Sequence, residues 1–166
     1  MSSIIYLNGD ATRPQASGAA MIVHVCNDVG GWGAGFVLAV SKRWPEPERR
    51  YRSWKRNQGP ARNPEDPTFA LGEVQFVEVE GDIVVANLIG QHGTRRGAGG
   101  TPPIRYDAVT EGLQKVAARA SSLGASIHMP RIGCGLAGGS WDQMEPIIQK
   151  CLTEPGLKVF VYDFLI

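Results

Sequence analysis

The sequence lacks the features of a secreted, membrane-bound or disulfide-stabilised protein. It contains only three cysteines in 166 residues, Cys26, Cys134 and Cys151. Because their number is odd and their spacing is not of a metal-binding type, we expect reduced thiols and no metal site. The chain starts without a basic segment, and no apolar run approaches the ~20 residues of a membrane span. These absences predict a soluble cytoplasmic protein.

An excess of charge of one sign is also lacking. The 17 Lys and Arg residues oppose 16 Asp and Glu residues, for a formal net charge of +1. No overall field therefore attracts nucleic acid or an anionic membrane, and neither is expected as a partner. The length and a hydrophobic fraction of 43% predict a single domain over residues 1–166. We expect this domain to be a monomer.

Glycine, in contrast, is abundant, and its placement indicates a phosphate site. Two of the segments that contain the 21 glycines, Gly30–Gly35 and Gly133–Gly139, each follow a predicted strand and lead into a predicted helix. Glycine lets the backbone approach a ligand, and helix N-termini offer unpaired N–H groups, so such loops hold phosphate oxygens. One such loop alone would be interpreted as a tight turn, but two facing loops suit a diphosphate. Neither matches the P-loop or the dinucleotide fingerprint, which argues against an ATPase or a dehydrogenase.

The apolar pattern predicts the element order β-β-α-α-β-β-α-β-α-β and a mixed sheet covered by helices on both faces. The fourth strand follows a Glu80-Gly81 turn, so the third and fourth strands should form an antiparallel hairpin. Gly124 is expected to end the third helix, and Ser140 with Gln143 resembles a capping box for the last helix. Pro146 suggests that this helix starts later or is kinked. The predicted strands cover 4–7, 21–25, 71–79, 82–89, 127–129 and 158–163, and the helices cover 33–44, 47–54, 109–120 and 144–152.

Three segments together resemble the macrodomain family. They are Gly9-Asp10-Ala11, the stretch His24-Val-Cys-Asn-Asp28 that leads into Gly31-Trp-Gly-Ala-Gly35, and Met129-Pro-Arg-Ile-Gly-Cys-Gly-Leu136. The resemblance covers nearly the whole chain. It is strongest to the branch that contains the terminal ADP-ribose protein glycohydrolase, the chromatin-remodeller macrodomain and the fungal ADP-ribose-1″-phosphate phosphatase. It implies a three-layer α/β/α sandwich with a central mixed sheet and a crevice that binds ADP-ribose without a cofactor or metal.

The resemblance also implies roles for individual residues. Asp10 would accept a hydrogen bond from the adenine amino group, the backbone of Ala11 would touch the ring, and Tyr162 would stack on it. Asn27 would bind the hydroxyls of the distal ribose. The residues alone also allow Asp10 and Asn27 to be turn formers and Tyr162 to be a core aromatic. The diphosphate would lie between Gly31, Trp32, Gly33, Ala34 and Gly35 on one side and Pro130, Arg131, Ile132, Gly133, Cys134, Gly135, Leu136, Ala137 and Gly138 on the other.

The sequence departs from this branch where catalysis is concerned. The related glycohydrolase has a lysine nucleophile near the position of Gly90 and Gln91, and an aspartate where this chain has Ala137. Other macrodomain hydrolases have an aspartate in the first glycine loop, where this chain has Ala34. A covalent lysyl-ADP-ribose route is therefore excluded.

Leaving-group chemistry still allows hydrolysis. A glutamate or aspartate ester leaves as a carboxylate of pKa ~4 and needs no general acid, whereas an arginine linkage leaves a guanidine of pKa above ~12. We therefore predict a metal-independent hydrolase of mono-ADP-ribose esters on protein glutamate and aspartate. Two alternatives stay open: an ADP-ribose-1″-phosphate phosphatase and a non-enzymatic ADP-ribose reader. The candidate catalytic residues are Asn27, Asp28, Gln91 and His92.

Two further features are interpreted as structural. His24 lies within an apolar strand and is expected to be a core histidine. The segment Lys42–Arg56 holds seven of the 17 basic residues, interleaved with Trp44, Tyr51 and Trp54. Because its aromatic residues fall on one helical face, we interpret it as a solvated amphipathic helix rather than a nucleic-acid site.

Overall fold

A computed structural model describes residues 3–57 and 65–164. The order of its strands and α-helices confirms the predicted β-β-α-α-β-β-α-β-α-β pattern. Short 3₁₀ turns at Ala98–Gly100 and Gly135–Ala137 add to it. The elements are β1 (Ile5–Asn8), β2 (Ala20–Asn27), α1 (Phe36–Arg43), α2 (Glu46–Arg56), β3 (Val74–Glu80), β4 (Ile83–Gln91), α3 (Tyr106–Leu123), β5 (Ser126–Met129), α4 (Trp141–Ile148) and β6 (Val159–Asp163).

The strands form one six-stranded mixed sheet in the order β1-β6-β5-β2-β4-β3. Every neighbouring pair is parallel except β3 and β4, which pair antiparallel and confirm the predicted hairpin. The C-terminal ends of the five parallel strands therefore share one edge of the sheet. In an open α/β sheet this edge is where ligands bind.

Helices cover both faces of the sheet and complete a three-layer α/β/α sandwich, as predicted. On one face Val40 of α1 and Tyr51 of α2 pack in a buried cluster with Ile22 of β2. On the other face Leu113 of α3 and Met144 of α4 pack in a second cluster. Trp44, Tyr51 and Trp54 retain 5%, 0% and 1% of their surface exposed, which confirms that the aromatic face of the basic segment points into the core.

The ends of the helices show one confirmed and two corrected expectations. Gly124 adopts a left-handed conformation with φ of 65° and caps α3 as predicted. Ser140 precedes α4, but its side chain makes no capping hydrogen bond, and the Gln143 N–H bonds to the Ser140 carbonyl instead. The capping-box prediction is therefore wrong. The expectation of a later start is also wrong, because α4 begins at Trp141 and contains Pro146; it runs into a wider π turn at Gln149–Thr153.

Within the described ranges, no helix combines the length and apolar character needed to cross a bilayer.

Candidate functional site

The two glycine loops face each other across a cleft at the C-terminal edge of the sheet. Two adjoining cavities of about 350 and 410 Å³ share wall residues that include Ala34, Gln91 and Leu136. The loops touch, because a Cβ atom added to Gly35 would lie 3.4 Å from Cδ1 of Leu136. All predicted diphosphate-loop residues line these cavities except Trp32 and Gly138. The structure thus brings the two loops together, and their binding of a diphosphate stays a prediction.

The backbone of both loops explains why they are rich in glycine. Gly133, Gly135 and Gly138 have φ values of 75°, 73° and 76°, which side chains rarely tolerate. A Cβ on Gly139 would collide with the carbonyl oxygen of Gly133. In the first loop, Gly35 is directly followed by α1; the Leu38 N–H bonds to the Gly35 carbonyl, while the N–H groups of Phe36 and Val37 have no acceptor within the helix. Both loops can therefore offer backbone donors to an anion.

Trp32 lies beneath the first loop and does not form the surface of the cleft. Its side chain is 3% exposed and donates from Nε1 to the Ser41 hydroxyl over 2.7 Å. Its ring packs against His24 and Tyr51. The expectation that Trp32 is part of the cleft wall is corrected, because the ring is needed in the core between the sheet and α2.

Asn27 organises the first loop. Its Nδ2 donates to the Gly31 carbonyl over 2.9 Å, while Oδ1 accepts from the N–H groups of Val29 and Gly31 and from the Tyr51 hydroxyl. The side chain is 8% exposed. In this arrangement Asn27 acts as the turn former that the residues alone allowed. Its contact with a distal ribose stays a prediction.

Asp28 and His92 form a hydrogen-bonded pair at one end of the cleft. His92 Nδ1 lies 2.7 Å from Asp28 Oδ2, and the Gly93 N–H donates to Oδ1 over 2.8 Å. Partial burial opposes ionisation of Asp28, but the Gly93 and His92 hydrogen bonds outweigh it and lower the pKa of the carboxyl. The carboxylate is therefore ionised at neutral pH and orients the imidazole. The His92 side chain is 63% exposed, and its role in catalysis stays a prediction.

Gln91 connects this pair to the cleft. It borders both cavities, and its Nε2 donates to the Gly93 carbonyl over 2.9 Å. The Asp28 N–H donates to the Gln91 carbonyl over 3.0 Å. The four candidate catalytic residues thus come together where β2 and β4 end.

The opposite end of the cleft contains the residues predicted to bind adenine. Asp10 Oδ1 accepts hydrogen bonds from the backbone N–H and the hydroxyl of Thr12, over 2.8 and 2.7 Å. Ala11 is 2% exposed. Asp10 therefore shapes the turn that follows β1, and its contact with adenine stays a prediction.

Tyr162 does not offer a face for stacking. The side chain is 3% exposed, and its hydroxyl accepts from the Gln15 N–H and hydrogen-bonds to His128 Nδ1, each over 2.8 Å. In this structure the loop after β1 covers the ring, and the stacking of Tyr162 on adenine stays a prediction. Phe164, two residues further along the chain, is 69% exposed. The sequence analysis did not identify it as a candidate for stacking on adenine. The signal was the two-residue period, which puts 162 and 164 on the same face while the strand ends at Asp163.

Arg131 belongs to the loop after β5 and contacts the end of β6. Its guanidinium bonds to both carboxylate oxygens of Asp163, over 2.7 and 3.0 Å, and lies 5.1 Å from the ring centres of Tyr6 and Trp141. The hydrogen bonds from Arg131 lower the pKa of Asp163. The pair joins the loop after β5 to the strand that leads to Phe164.

His24 is the core histidine that the sequence predicts. It is 2% exposed, and its Nε2 lies 2.6 Å from Oδ1 of Asn87. Burial lowers its pKa to about 4. Across the described parts of the chain, no group of three or more His, Cys, Asp or Glu side chains could hold a metal ion.

Comparison with curated proteins finds relatives named for ADP-ribose chemistry, although no family model matches the chain. Chromodomain-helicase-DNA-binding protein 1-like from Mus musculus is 33% identical over 98% of this chain, but the chain spans only 18% of that protein's length. An ADP-ribose 1″-phosphate phosphatase from Lodderomyces elongisporus is 22% identical over 97% of this chain and 99% of its own. A DNA ADP-ribosyl glycohydrolase from Thermus aquaticus is 27% identical, with coverage of 86% and 37%.

Solved structures give closer matches. A protein of unknown function from Bacteroides thetaiotaomicron is 52% identical, with a TM-score of 0.91 and coverage of 98% of each chain. A macrodomain protein from Streptomyces coelicolor is also 52% identical, with a TM-score of 0.83 over 97% of this chain and 99% of that chain. Since this likeness spans both chains, the protein belongs to the macrodomain family, in which its relatives include proteins named for binding or hydrolysing ADP-ribose compounds.

Proposed function

We propose that the protein binds ADP-ribose in this cleft and hydrolyses the ester that links it to a glutamate or aspartate side chain of a modified protein. The observation that carries the proposal is the Asp28–His92 pair beside Gln91, at one end of a cleft formed by two glycine loops. The loops supply donors for a diphosphate, and the pair supplies a base next to it.

The strand order along the sheet edge supports one orientation of the ligand. The sequence β1-β6-β5-β2-β4 puts Asp10 and Phe164 at one end, the two glycine loops in the middle and Gln91 with His92 at the other end. The ligand would lie in the same order, with adenine at Asp10, the diphosphate between the loops and the distal ribose near Gln91. Phe164 then supplies the exposed aromatic surface that we expected from Tyr162.

The chemistry assigned to His92 is that of a general base. Because ionised Asp28 accepts a hydrogen bond from Nδ1–H of His92, the neutral imidazole has its unprotonated nitrogen at Nε2, which can accept a proton. Water attacks the anomeric carbon and gives a proton to Nε2, while the bond from that carbon to the ester oxygen breaks. The leaving group departs as a carboxylate and needs no acid, which agrees with Ala34 and Ala137 at the positions of the missing carboxylates. The products are ADP-ribose and the free side chain.

The test compares the release of ADP-ribose from two substrates by mass spectrometry. One is a protein modified on glutamate and aspartate, and the other is modified on arginine. We expect release from the acidic linkages alone, and a loss of at least about 100-fold in turnover for His92→Ala without loss of ADP-ribose binding. No release from either substrate by a preparation that still binds ADP-ribose would contradict the proposal.

A phosphatase acting on ADP-ribose-1″-phosphate is the second candidate. The fungal relatives carry that name, and phosphate, with a second pKa of ~6, is also a tolerable leaving group. Release of inorganic phosphate would identify this activity. Binding of a modified protein without any product would instead identify a reader.

A further inference from the structure

Four exposed cationic side chains belong to two segments that lie against the glycine loops. Arg52 and Lys55 belong to α2, and Arg95 and Arg96 belong to the loop that follows β4. We call these four residues the basic rim. They do not form a charge run in the sequence; Arg52 and Lys55 flank Gly30 of the first glycine loop, and Arg96 flanks Gly138 of the second.

The α2 part of the rim packs against the first glycine loop. Arg52 Nη1 donates to the Gly30 carbonyl over 3.3 Å. Cγ of Lys55 lies 3.0 Å from the position that a Cβ of Gly30 would occupy. Both cations are therefore held beside the loop on which Asn27 and Gly31 lie.

The loop that follows β4 lies beside both glycine loops, through Thr94 and Arg96. Cγ2 of Thr94 lies 3.5 Å from the Cβ position of Gly31, and Thr94 lines the cleft. Nη2 of Arg96 lies 3.4 Å from the Cβ position of Gly138, and Nη1 donates to the Gly100 carbonyl over 2.9 Å. This loop thus places Arg96 beside the second glycine loop, and Arg95 directly precedes it in the chain.

The rim has more positive charge than its neighbours neutralise. Arg52 pairs with Glu48, and Asp28 is engaged by His92. Within residues 3–57 and 65–164, no carboxylate lies within 4.0 Å of the charged nitrogens of Lys55, Arg95 or Arg96. A chain with a net charge of only +1 therefore concentrates cations without a carboxylate partner among the described residues beside its glycine loops.

We infer that the basic rim binds acidic residues that flank the modified side chain, so that the substrate is an ADP-ribosyl ester within an acidic polypeptide segment. The inference rests on the proposed function, since the polypeptide leaves from the distal ribose at this end of the cleft. The ligand's own diphosphate lies between the glycine loops and does not need the rim. Tyr51 and Trp54 beside the rim are 0% and 1% exposed, so they offer no surface on which bases could stack, and a polypeptide is favoured over a single-stranded nucleic acid.

The test uses two synthetic peptides, each carrying one ADP-ribosyl glutamate ester. Four Asp and Glu residues flank the modified residue in one peptide, and Ser and Gln replace them in the other. Affinities are measured in the His92→Ala background so that the ester stays intact. We expect the acidic peptide to bind about five- to tenfold more tightly at low salt, and this preference to shrink as the salt concentration rises.

The double variant Arg95→Glu/Arg96→Glu should lose the preference: its affinities for the two peptides should become equal, whatever change it shows in its affinity for free ADP-ribose. Lys158→Glu, which changes charge before β6 at the opposite edge of the sheet, is the single-charge control and should keep the preference. Equal affinity for the two peptides, or a preference that survives in the double variant, would overturn the inference. Tighter binding of an ADP-ribosylated oligonucleotide than of the acidic peptide would also overturn it. If the acidic peptide is preferred but the wild-type protein hydrolyses neither peptide, the proposed hydrolysis is wrong. The inference that the basic rim binds acidic flanking residues is then still supported.

Discussion

His92 Nδ1 and Asp28 Oδ2 lie 2.7 Å apart although 64 residues separate them in the chain. Their proximity follows from the pairing of β2 with β4, in which Asn27 is the partner of Gln91. The next residue of each strand therefore leaves the sheet at the same point. An ionised carboxylate and an imidazole meet there beside the cleft, which is the arrangement expected of an oriented base.

The first prediction concerns Asp28→Asn. The substitution keeps the size of the side chain but removes the negative charge that fixes the Nδ1 proton of His92. We expect turnover to fall by about 100-fold while the affinity for ADP-ribose changes less than about twofold. Steady-state kinetics and calorimetric binding measure the two effects separately.

The matched control is Asp82→Asn in the β3–β4 turn, which makes the same change at the opposite edge of the sheet. It should leave turnover unaltered. Wild-type turnover in Asp28→Asn would remove the pair from the mechanism, whereas equal losses in binding and turnover would point to a collapsed loop.

The second prediction concerns the stability of the fold in mild acid. Burial lowers the pKa values of His24 and His128 to about 4, whereas an unfolded histidine titrates near 6.5. Between these values the unfolded chain binds more protons, so stability is complete above about pH 6.5 and falls as the pH decreases toward 4. For His24 the full effect is roughly 3 kcal/mol.

Urea unfolding at several pH values between 7 and 4.5 measures this loss. His24→Gln keeps a donor for Asn87 without titrating, so its free energy of unfolding should fall less steeply with decreasing pH than that of wild type. Parallel curves for the two proteins would show that protonation of His24 does not limit stability.

Much of the fold could be predicted because its signals are local. Apolar periodicity shows where strands and helices lie, and Gly124 marks a helix end that depends only on nearby residues. The two glycine loops are visible for the same reason, since their small residues directly follow strands. The capping box at Ser140 could not be predicted in this way, because whether a side chain completes a cap depends on its rotamer and not on residue type.

Features that depend on tertiary cover could not be predicted. Tyr162 lies in β6 and Phe164 directly follows that strand; the loop after β1 covers the first, whereas the second is exposed. The sequence suggests that Trp32 is part of the cleft wall, but its ring packs between the sheet and α2. The basic rim could not be predicted either, because Lys55 and Arg96 are far apart in the chain and come to flank the two glycine loops only in the folded protein.

The third prediction concerns the close packing of the second glycine loop. A Cβ in Gly139→Ala would collide with the backbone oxygen of Gly133, so the loop must move. We expect ADP-ribose affinity to fall at least about tenfold and the free energy of unfolding to fall by about 1–3 kcal/mol. Gly97→Ala is the control, because a Cβ there meets nothing within 4 Å and the residue does not need a positive φ. Similar affinities for both variants would show that the shape of this loop does not govern binding.

The last prediction separates the two aromatic residues at the end of β6. Phe164 is 69% exposed, so Phe164→Ala should leave the melting temperature nearly unchanged and weaken ADP-ribose binding by about 1–3 kcal/mol if adenine stacks on the ring. Tyr162→Phe should affect the stability of the fold more than it affects ADP-ribose binding. It removes the hydroxyl that joins Gln15 to His128 and should cost about 1 kcal/mol of stability, with a smaller effect on affinity.

Calorimetry with ADP-ribose and with ribose 5-phosphate, which has no adenine, assigns the effect to the base. The Phe164→Ala loss should appear with ADP-ribose and vanish with ribose 5-phosphate, since only the former carries a ring to stack. An unchanged ADP-ribose affinity in Phe164→Ala would mean that adenine does not use the exposed ring. A large affinity loss in Tyr162→Phe without a loss of stability would instead return the role to Tyr162, and would require the loop after β1 to open when the ligand binds.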